Sequence, residues 1–183
     1  AKAAPSAMTN QKRLSGQVAA VTGSAQGIGA GIALKLATHG ARVVIHGREK
    51  EAETAEKVRK SIQEVGGEAI VVLGDLRGEV NCRNVVRQSV EQFGRLDILV
   101  NNAGVVHRGT IENTSAELWD EILDTNLRAP FICCQEAVRH MKERRSGCII
   151  NIGSVNAYLG LKKILAYSAS KGGLMTFTKN LAN

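Results

Sequence analysis

Apolar residues along this chain occur in two patterns that alternate from one end to the other. Short runs rich in Val, Ile and Ala predict five β-strands, at residues 17–22, 41–46, 68–74, 97–104 and 146–154, the fourth of which runs into a loop. Longer stretches with apolar residues at helical spacing predict helices after the first strand to about 39, and over about 49–65, 79–93, 115–144 and from 166 to the end. Glycines follow three of these stretches, as is typical of helix C-termini, at Gly40, Gly66, Gly67 and Gly94.

Strict alternation of strand and helix predicts a parallel sheet with helices on both faces. The runs at 17–22, 97–104 and 146–154 are almost entirely apolar, as expected of strands that helices cover on both sides. Because crossover connections are right-handed, the predicted fold is a doubly wound, Rossmann-like α/β sheet of at least five strands. No internal repeat or linker interrupts it, so residues 15–183 are predicted to form one domain after a flexible lead-in at residues 1–14.

Composition and charge exclude several classes of protein. The 183 residues are 44% hydrophobic and 22% charged, which is typical of a globular chain. No apolar run is long enough to span a membrane, and the N-terminal segment lacks the apolar core of a signal peptide. The four cysteines form no CxxC pair and the four histidines are scattered. We therefore expect a cytoplasmic protein with free thiols, no metal site and no membrane partner.

The net charge of +7 includes a basic cluster at Arg139–Arg145. A nucleic-acid surface would interleave such charges with aromatic residues, which make up only 3% of this chain. The cluster ends a predicted helix instead, where cations suit the helix dipole. We expect no nucleic-acid partner, and the positive balance favours an anionic cofactor or substrate.

Three glycines, Gly23, Gly27 and Gly29, lie between the first predicted strand and its helix. Glycine permits a tight turn and lets the backbone approach a pyrophosphate, while the helix N-terminus supplies free N–H groups. The spacing G-x3-G-x-G differs from the G-x-G-x-x-G dinucleotide fingerprint. A phosphate-binding loop is therefore favoured, with a purely structural glycine turn as the alternative.

The end of the second strand bears on the choice between NADP(H) and NAD(H). Folds that bind NAD(H) tend to place an Asp or Glu there for the ribose 2′-hydroxyl. This chain has His46, Gly47 and Arg48, with no carboxylate to repel a 2′-phosphate and an arginine able to pair with one. NADP(H) is favoured, unless Arg48 is an ordinary surface residue that begins the next helix.

Tyr167 and Lys171 are four residues apart, which places both side chains on one face of a helix. A tyrosine acts as a general acid or base when a nearby cation lowers its pKa. Ser154 lies thirteen residues before the tyrosine, where an apolar run ends, and its hydroxyl suits a carbonyl oxygen. An isolated pair of this kind is more often structural, so its interpretation depends on the motifs upstream.

Taken together, these residues resemble the short-chain dehydrogenase/reductase family over about residues 15–183. Thr22–Gly29 is similar to the TGxxxGIG motif of that family and Asn101–Gly104 to its NNAG motif. The Asn-Ser-Tyr-Lys catalytic set of the family falls on Asn126, Ser154, Tyr167 and Lys171. The resemblance implies a dinucleotide-binding domain with cofactor contacts at Gly23, Ser24, Gln26, Gly27, Ile28, Gly29, Arg48, Asp75, Leu76, Asn102, Ala103, Gly104, Tyr167 and Lys171.

The resemblance also implies roles. Tyr167 exchanges a proton with the substrate oxygen, which Ser154 holds by a hydrogen bond. Lys171 holds the nicotinamide ribose and favours ionisation of the tyrosine, while Asn126 distorts its helix and holds a water. Asp75 accepts a hydrogen bond from the adenine amino group. The implied reaction is hydride transfer between NAD(P)(H), with NADP(H) preferred, and a ketone or secondary alcohol.

The chain departs from the family at its C-terminus. Family members continue with a sixth strand, a substrate-covering loop and helix, and a seventh strand, which are missing after Asn183. We expect the fifth strand to leave an apolar edge, and a longer parent protein. Without those parts, a non-catalytic cofactor-binding regulator stays an alternative to the enzyme.

Substrate and assembly are the least defined. Gly153–Val155 and Arg145 are locally similar to 3-oxoacyl-carrier-protein reductases, which implies a carrier-bound substrate. Sugar, polyol or other small-ketone dehydrogenases share the same core and stay open as alternatives. In the family, helices like those at 115–144 and 166–183 often pair between subunits, so we expect a homo-oligomer, a dimer or tetramer; a scaffold that only oligomerises is the third alternative.

Overall fold

The computed structural model describes residues 12–183, and its five strands form one parallel sheet in the order β3-β2-β1-β4-β5. The strands are β1 (Val18–Val21), β2 (Arg42–Gly47), β3 (Ala69–Leu73), β4 (Ile98–Asn101) and β5 (Cys148–Asn151). The register pairs Val18 with Arg42 and Ala19 with Ile98. The doubly wound parallel sheet expected from the alternation is thus confirmed. The predicted lead-in lies largely outside the described residues, although Leu14 donates its N–H to the His39 carbonyl at 2.9 Å.

Within the described part of the chain, six α-helices connect and follow the strands. They are α1 (Gly27–Thr38), α2 (Ala52–Glu64), α3 (Glu79–Phe93), α4 (Ala116–Leu123), α5 (Ala129–Glu143) and α6 (Leu165–Leu181). A π-helical turn, Asp124–Arg128, joins α4 to α5, so the helix predicted over 115–144 is continuous but widened in its middle. Two short 3-10 turns, Glu49–Glu51 and Val155–Ala157, precede α2 and α6. The last helix ends at Leu181 rather than running to the end of the chain.

Alternate residues of the strands face two separate cores, as a sheet covered on both sides requires. One core packs strand residues against α3 and α5, and includes Val18, Ala20, Val44, Leu99, Val85, Val86 and Ile132. The other packs the intervening strand residues against α1 and α2, and includes Ala19, Val21, Val43, Ile45, Ala33, Ala37 and Ile62. Small residues on α1 allow close approach to the sheet.

The strand order places a topological switch between β1 and β4. After β1 the chain adds β2 and β3 on one side of β1, and it then crosses back to add β4 and β5 on the other side. In sheets of this kind, ligands bind in the crevice at the carboxyl ends of the strands on either side of the switch. The loops after β1, β2, β3 and β4 converge at that edge. β3 and β5 are the two edge strands, and on β5 the side chains of Cys148 and Ile150 are exposed.

Within residues 12–183, no helix combines the length and the apolar character that crossing a bilayer requires. In the same part of the chain, no three His, Cys, Asp or Glu side chains group closely enough to hold a metal ion.

Candidate active site and cofactor cleft

A cleft of about 250 Å³ opens at the carboxyl ends of β1 to β4. It is lined by residues from the four loops that follow these strands and from the α4–α5 helix, including Gly23, Gln26, Arg48, Glu51, Asp75, Leu76, Arg77, Asn102, Ala103, Gly104 and Thr125. Most of the predicted cofactor residues therefore meet in one place.

The glycine loop forms one wall of this cleft. Gly23 has a φ of +62°, and a Cβ there would lie 2.8 Å from the Ala103 Cα atom. Gly27, which begins α1, has a φ of +58° and open space where a Cβ would project. The first-turn N–H groups of a helix have no intrahelical acceptors, so α1 presents free donors at this wall. The Ile28 side chain points to solvent and is exposed.

Two short polar side chains join the glycine loop to the segment after β4. The Thr22 hydroxyl accepts hydrogen bonds from the N–H groups of Asn102 and Ala103, each at 3.0 Å. The Asn102 amide donates in return to the carbonyls of Thr22 and Gly23, at 2.9 and 3.1 Å. A side chain at Gly29 would collide with this amide, since a Cβ would lie 2.5 Å from the Asn102 Nδ2 atom. The TGxxxGIG and NNAG segments are therefore one interlocked unit.

Ser24 does not face the cleft as expected of a cofactor contact. Its side chain is fully buried, and its hydroxyl donates to the Val21 carbonyl at 2.6 Å and accepts from the His46 N–H at 3.0 Å. Its own N–H donates to the His46 carbonyl at 2.8 Å. The hydroxyl and the N–H of Ser24 are occupied by these hydrogen bonds because the loop folds back over the end of β2. Ser24 therefore stabilises the loop from its buried side.

His46 connects the loops after β1 and β3, a position that its isolated occurrence in the sequence did not indicate. Its Nδ1 atom accepts the Gly23 N–H at 3.1 Å, and its Nε2 atom lies 3.0 Å from the Gly74 carbonyl. Nδ1 must then be unprotonated, with the proton on Nε2. Burial lowers the pKa of His46, partly opposed by the Gly74 carbonyl and nearby carboxylates. The neutral ring thus fixes the backbone of the glycine loop.

A carboxylate, that of Glu51, lies beside Arg48 just after the end of β2. We expected no carboxylate at this place from the sequence, so the expectation is corrected. The 3-10 turn Glu49–Glu51 brings Glu51 back over Arg48, three residues earlier. The Arg48 Nη2 atom lies 2.6 Å from Glu51 Oε1, and the Arg48 N–H donates to Glu51 Oε2 at 2.8 Å. The hydrogen bond from Arg48 lowers the pKa of Glu51.

A second ion pair follows β3. Asp75 accepts hydrogen bonds from the Arg77 N–H at 2.9 Å and from its guanidinium at 2.6 Å, and these lower the pKa of Asp75. Leu76 is buried between them and lines the cleft. Arg77 is a second cation at this end, and no sequence motif indicated it.

These features fit a dinucleotide. A helix N-terminus with glycines beside it suits a pyrophosphate, and the cleft is also lined by two arginines, Arg48 and Arg77, and by three carboxylates, Glu51, Asp75 and Glu121. Of the predicted cofactor contacts, Ser24, Gly29 and Lys171 are buried and do not line this cleft.

Tyr167 and Lys171 lie on one face of α6, as their spacing predicts. The Lys171 Nζ atom is 5.9 Å from the centroid of the Tyr167 ring. It donates to the Ile152 carbonyl at 2.7 Å, and burial lowers the pKa of Lys171. An ammonium group has three donors, so this bond leaves two for other acceptors.

Asn126 is completely buried within the π-helical turn. Its carbonyl oxygen accepts the Val105 N–H at 2.8 Å, and its amide donates to the Val105 carbonyl at 2.9 Å and the Ser170 hydroxyl at 3.1 Å. The Ser170 hydroxyl in turn donates to the Tyr167 carbonyl at 2.7 Å. The path from Asn126 to α6 therefore runs through Ser170, which no motif indicated.

Gly104 lies beside two of the predicted catalytic residues. A Cβ at this position would be 3.3 Å from the Asn126 Oδ1 atom and 3.8 Å from the Lys171 Nζ atom. The last residue of the NNAG segment therefore adjoins both the cofactor cleft and the buried lysine.

Ser154 caps the 3-10 turn that precedes α6. Its hydroxyl oxygen accepts the Asn156 N–H at 3.2 Å, which leaves its own hydrogen free to donate elsewhere. It lines a separate depression of about 290 Å³ with Gly153, Ala157 and Tyr158. The turn packs against α6, so Ser154 and the Tyr167 helix are neighbours.

Comparison with protein families identifies a match to the family described as short chain dehydrogenase, over residues 17–183. An uncharacterized oxidoreductase of Thermotoga maritima is 40% identical over 169 residues, which are 91% of this chain and 65% of that protein. An uncharacterized oxidoreductase of Methylorubrum extorquens is 41% identical over 171 residues, covering 93% of this chain and 68% of that protein. The chain thus spans about two thirds of the length of these curated relatives.

Solved structures agree with the fold. A dehydrogenase/reductase from Sinorhizobium meliloti has a TM-score of 0.87 and 40% identity, and the match covers 94% of this chain and 68% of that one. A metagenomic short-chain oxidoreductase in complex with NADP has a TM-score of 0.88 and 37% identity, covering 93% of this chain and 76% of that one.

Proposed function

Because the chain belongs to the short-chain dehydrogenase/reductase family, we propose that it is an NAD(P)(H)-dependent oxidoreductase that interconverts a ketone and a secondary alcohol. The observation that carries this proposal is the buried Lys171 beside Tyr167, on a helix that adjoins both the Ser154 turn and the cleft wall at Gly104. A cation and a phenol able to exchange a proton thus lie on one helix next to the wall of a cleft suited to a dinucleotide, and Ser154 lies at the turn that packs against that helix.

The cofactor is held by residues along the cleft. The α1 N-terminus at Gly27 binds the pyrophosphate, and Asp75 and Leu76 flank the adenine. We propose a preference for NADP(H), supported by the two arginines at the ribose end and by the NADP bound in one solved relative. Lys171 offers its two remaining donors to the nicotinamide ribose.

The nicotinamide supplies or accepts the hydride, and the protein residues control the proton and the position of the substrate. Ser154 donates its free hydroxyl hydrogen to the substrate oxygen. Tyr167 gives a proton to that oxygen during ketone reduction and removes it during alcohol oxidation. Lys171, desolvated next to the ring, stabilises the negative charge that forms on the tyrosine oxygen. Asn126 and Ser170 hold the backbone of α6 in place.

A carrier-bound acyl substrate is the second candidate, similar to that of the 3-oxoacyl-carrier-protein reductases. The observation that favours it is the pair of exposed cations, Lys142 and Arg145, at the C-terminal end of α5. An acidic carrier would find complementary charge there.

We also propose that the chain forms a homo-oligomer through α5 and α6, where the half-exposed Phe131 packs edge-on against Phe177 at 6.2 Å. A monomeric mass in light scattering would contradict that assembly.

The decisive experiment combines binding and turnover with the purified protein. NADPH and NADH are titrated separately by calorimetry, and a panel of small ketones, sugars and acyl thioesters is then assayed for NADPH oxidation. We expect NADPH binding and turnover of at least one ketone class. Binding without turnover of any class would favour the cofactor-binding regulator, and failure to bind either nucleotide would refute the proposal.

A further inference from the structure

Four charged side chains at the ribose end of the cleft compensate one another in pairs, and a fifth charged residue, Glu121, also lines the cleft. Arg48 lies against Glu51, and Arg77 lies against Asp75, so the formal charges of the four side chains sum to zero. A 2′-phosphate carries about −1.5 to −2 charges and needs an unpaired cation to bind well. The electrostatic preference for such a group is therefore weaker than a count of arginines suggests.

The contact between Arg48 and Glu51 engages the same guanidinium edge that a phosphate would use. The Arg48 Nη2 and Nε atoms both donate to Glu51 Oε1, at 2.6 and 3.2 Å. The other carboxylate oxygen accepts the Arg48 N–H, which anchors Glu51 at the end of the strand. The Glu51 side chain is 15% exposed and that of Arg48 is 42% exposed, so the arginine is the partner free to turn towards a ligand.

We propose that Glu51 is a specificity-determining residue, because its carboxylate competes with the cofactor 2′-phosphate for Arg48. This inference rests on the proposed function. With NAD(H), the carboxylate accepts a hydrogen bond from the ribose 2′-hydroxyl while it keeps Arg48. With NADP(H), Arg48 must exchange Glu51 for the phosphate, and the carboxylate stays close to the incoming negative charge. The chain therefore uses both cofactors with only a modest preference for NADP(H).

The second pair has a different geometry. Asp75 is held by the backbone N–H of Arg77 as well as by its guanidinium, within three consecutive residues. The hydrogen bonds of its carboxylate are local to the turn, and its charge acts on Arg48 through space, without a hydrogen bond or ion pair between the two side chains. Glu51 is thus the carboxylate whose removal frees Arg48.

The test is Glu51→Gln, which keeps the size and the backbone contact of the side chain but removes its charge. We expect NADPH to bind about three- to tenfold more tightly, and NADH to bind equally or up to about threefold more weakly. The probes 2′,5′-ADP and 5′-AMP, which differ only in the 2′-phosphate, isolate the ribose end and should show the same divergence. Calorimetry measures each dissociation constant.

Glu53→Gln is the matched control, because Glu53 lies two residues further along, is exposed and pairs only with Lys57. It should leave the ratio of the NADPH and NADH dissociation constants within twofold of the parent value. The general loss of one negative charge is thereby separated from the specific release of Arg48.

Arg48→Gln supplies the second arm. In that background, Glu51→Gln should no longer change the ratio of the two dissociation constants, since the arginine under competition is gone. An unchanged ratio in the single Glu51→Gln variant, or an equal shift with and without Arg48, would overturn the inference. Either result would leave the proposed function intact, whereas failure of the parent protein to bind any of these nucleotides would refute that function first.

Discussion

At the ribose end of the cleft, two arginines lie against two carboxylates in contact with solvent, whereas at the catalytic end one lysine is buried against a backbone carbonyl. Exposed pairs are screened by water and salt and contribute little individually. A buried cation interacts strongly with any charge that forms beside it, and burial is what lowers the pKa of Lys171. Under the proposed function, the nucleotide end would set cofactor selectivity, while the end with the buried lysine would set the catalytic rate.

The largest expected effect tests the catalytic end. Tyr167→Phe removes the proton donor and should lower kcat by about 10²- to 10⁴-fold, with the dissociation constant of NADPH changed less than about threefold. Tyr158→Phe is the matched control, because Tyr158 is the other tyrosine of the chain and is 74% exposed. Steady-state turnover of the ketone that the panel identifies measures both. Retained turnover in Tyr167→Phe would show that Tyr167 is not the proton donor.

A smaller effect is expected where the two ends share a wall. Gly23→Ala forces a Cβ to within 2.8 Å of the Ala103 backbone at a φ of +62°, so the glycine loop and the NNAG segment must separate. We expect the protein to lose about 1–3 kcal/mol of unfolding free energy and about tenfold or more in NADPH affinity.

Gly31→Ala, in the helix that follows the glycine loop, provides the comparison. A Cβ at Gly31 would meet nothing within 4 Å, so alanine should raise the unfolding free energy by about 0.5–1 kcal/mol through helix propensity. Urea denaturation measures both variants. Equal changes in unfolding free energy for Gly23→Ala and Gly31→Ala would show that the contact between the glycine loop and the NNAG segment does not constrain the fold.

The smallest effect concerns the buried His46 below the ribose end. Its pKa is lowered mainly by burial, with Glu49, Glu51 and Asp75 opposing, so the unfolded chain binds more protons than the native one in the pH range just below about 6.5. Stability from this group is fully present above that pH and falls as the pH decreases, by at most about 1.4 kcal/mol per pH unit.

Comparison with His46→Gln isolates this term, because the other three histidines are present in both proteins and cancel in the difference. Unfolding free energies are measured by urea denaturation at several values between pH 5 and 7.5. A difference that does not vary with pH would contradict a neutral, buried His46. It would mean that His46 binds protons equally in the folded and unfolded chains, as an exposed group does.

The strands and helices were predictable because burial on both faces leaves a local apolar pattern. The helix Glu79–Phe93 matches its predicted span, and the fourth strand ends at Asn101, where the predicted stretch 97–104 runs into the loop along the cleft. The glycine loop and the Tyr167–Lys171 face were also predictable, since each depends on spacing within a few residues. The buried position of the Ser24 side chain was not predictable, because the motif alone does not tell which side of the loop faces the sheet.

By itself, the sequence determined the alternation of elements, the parallel doubly wound sheet and the order of the motifs. These follow from the local periodicity of apolar residues and from the right-handedness of crossover connections between parallel strands. Only the tertiary structure decided that Ser170 links Asn126 to α6, that His46 holds the Gly23 backbone, and that Glu51 faces Arg48 in the cleft. Such contacts depend on how a turn closes or on residues tens of positions apart, and a polar side chain carries no local pattern that reveals its partner.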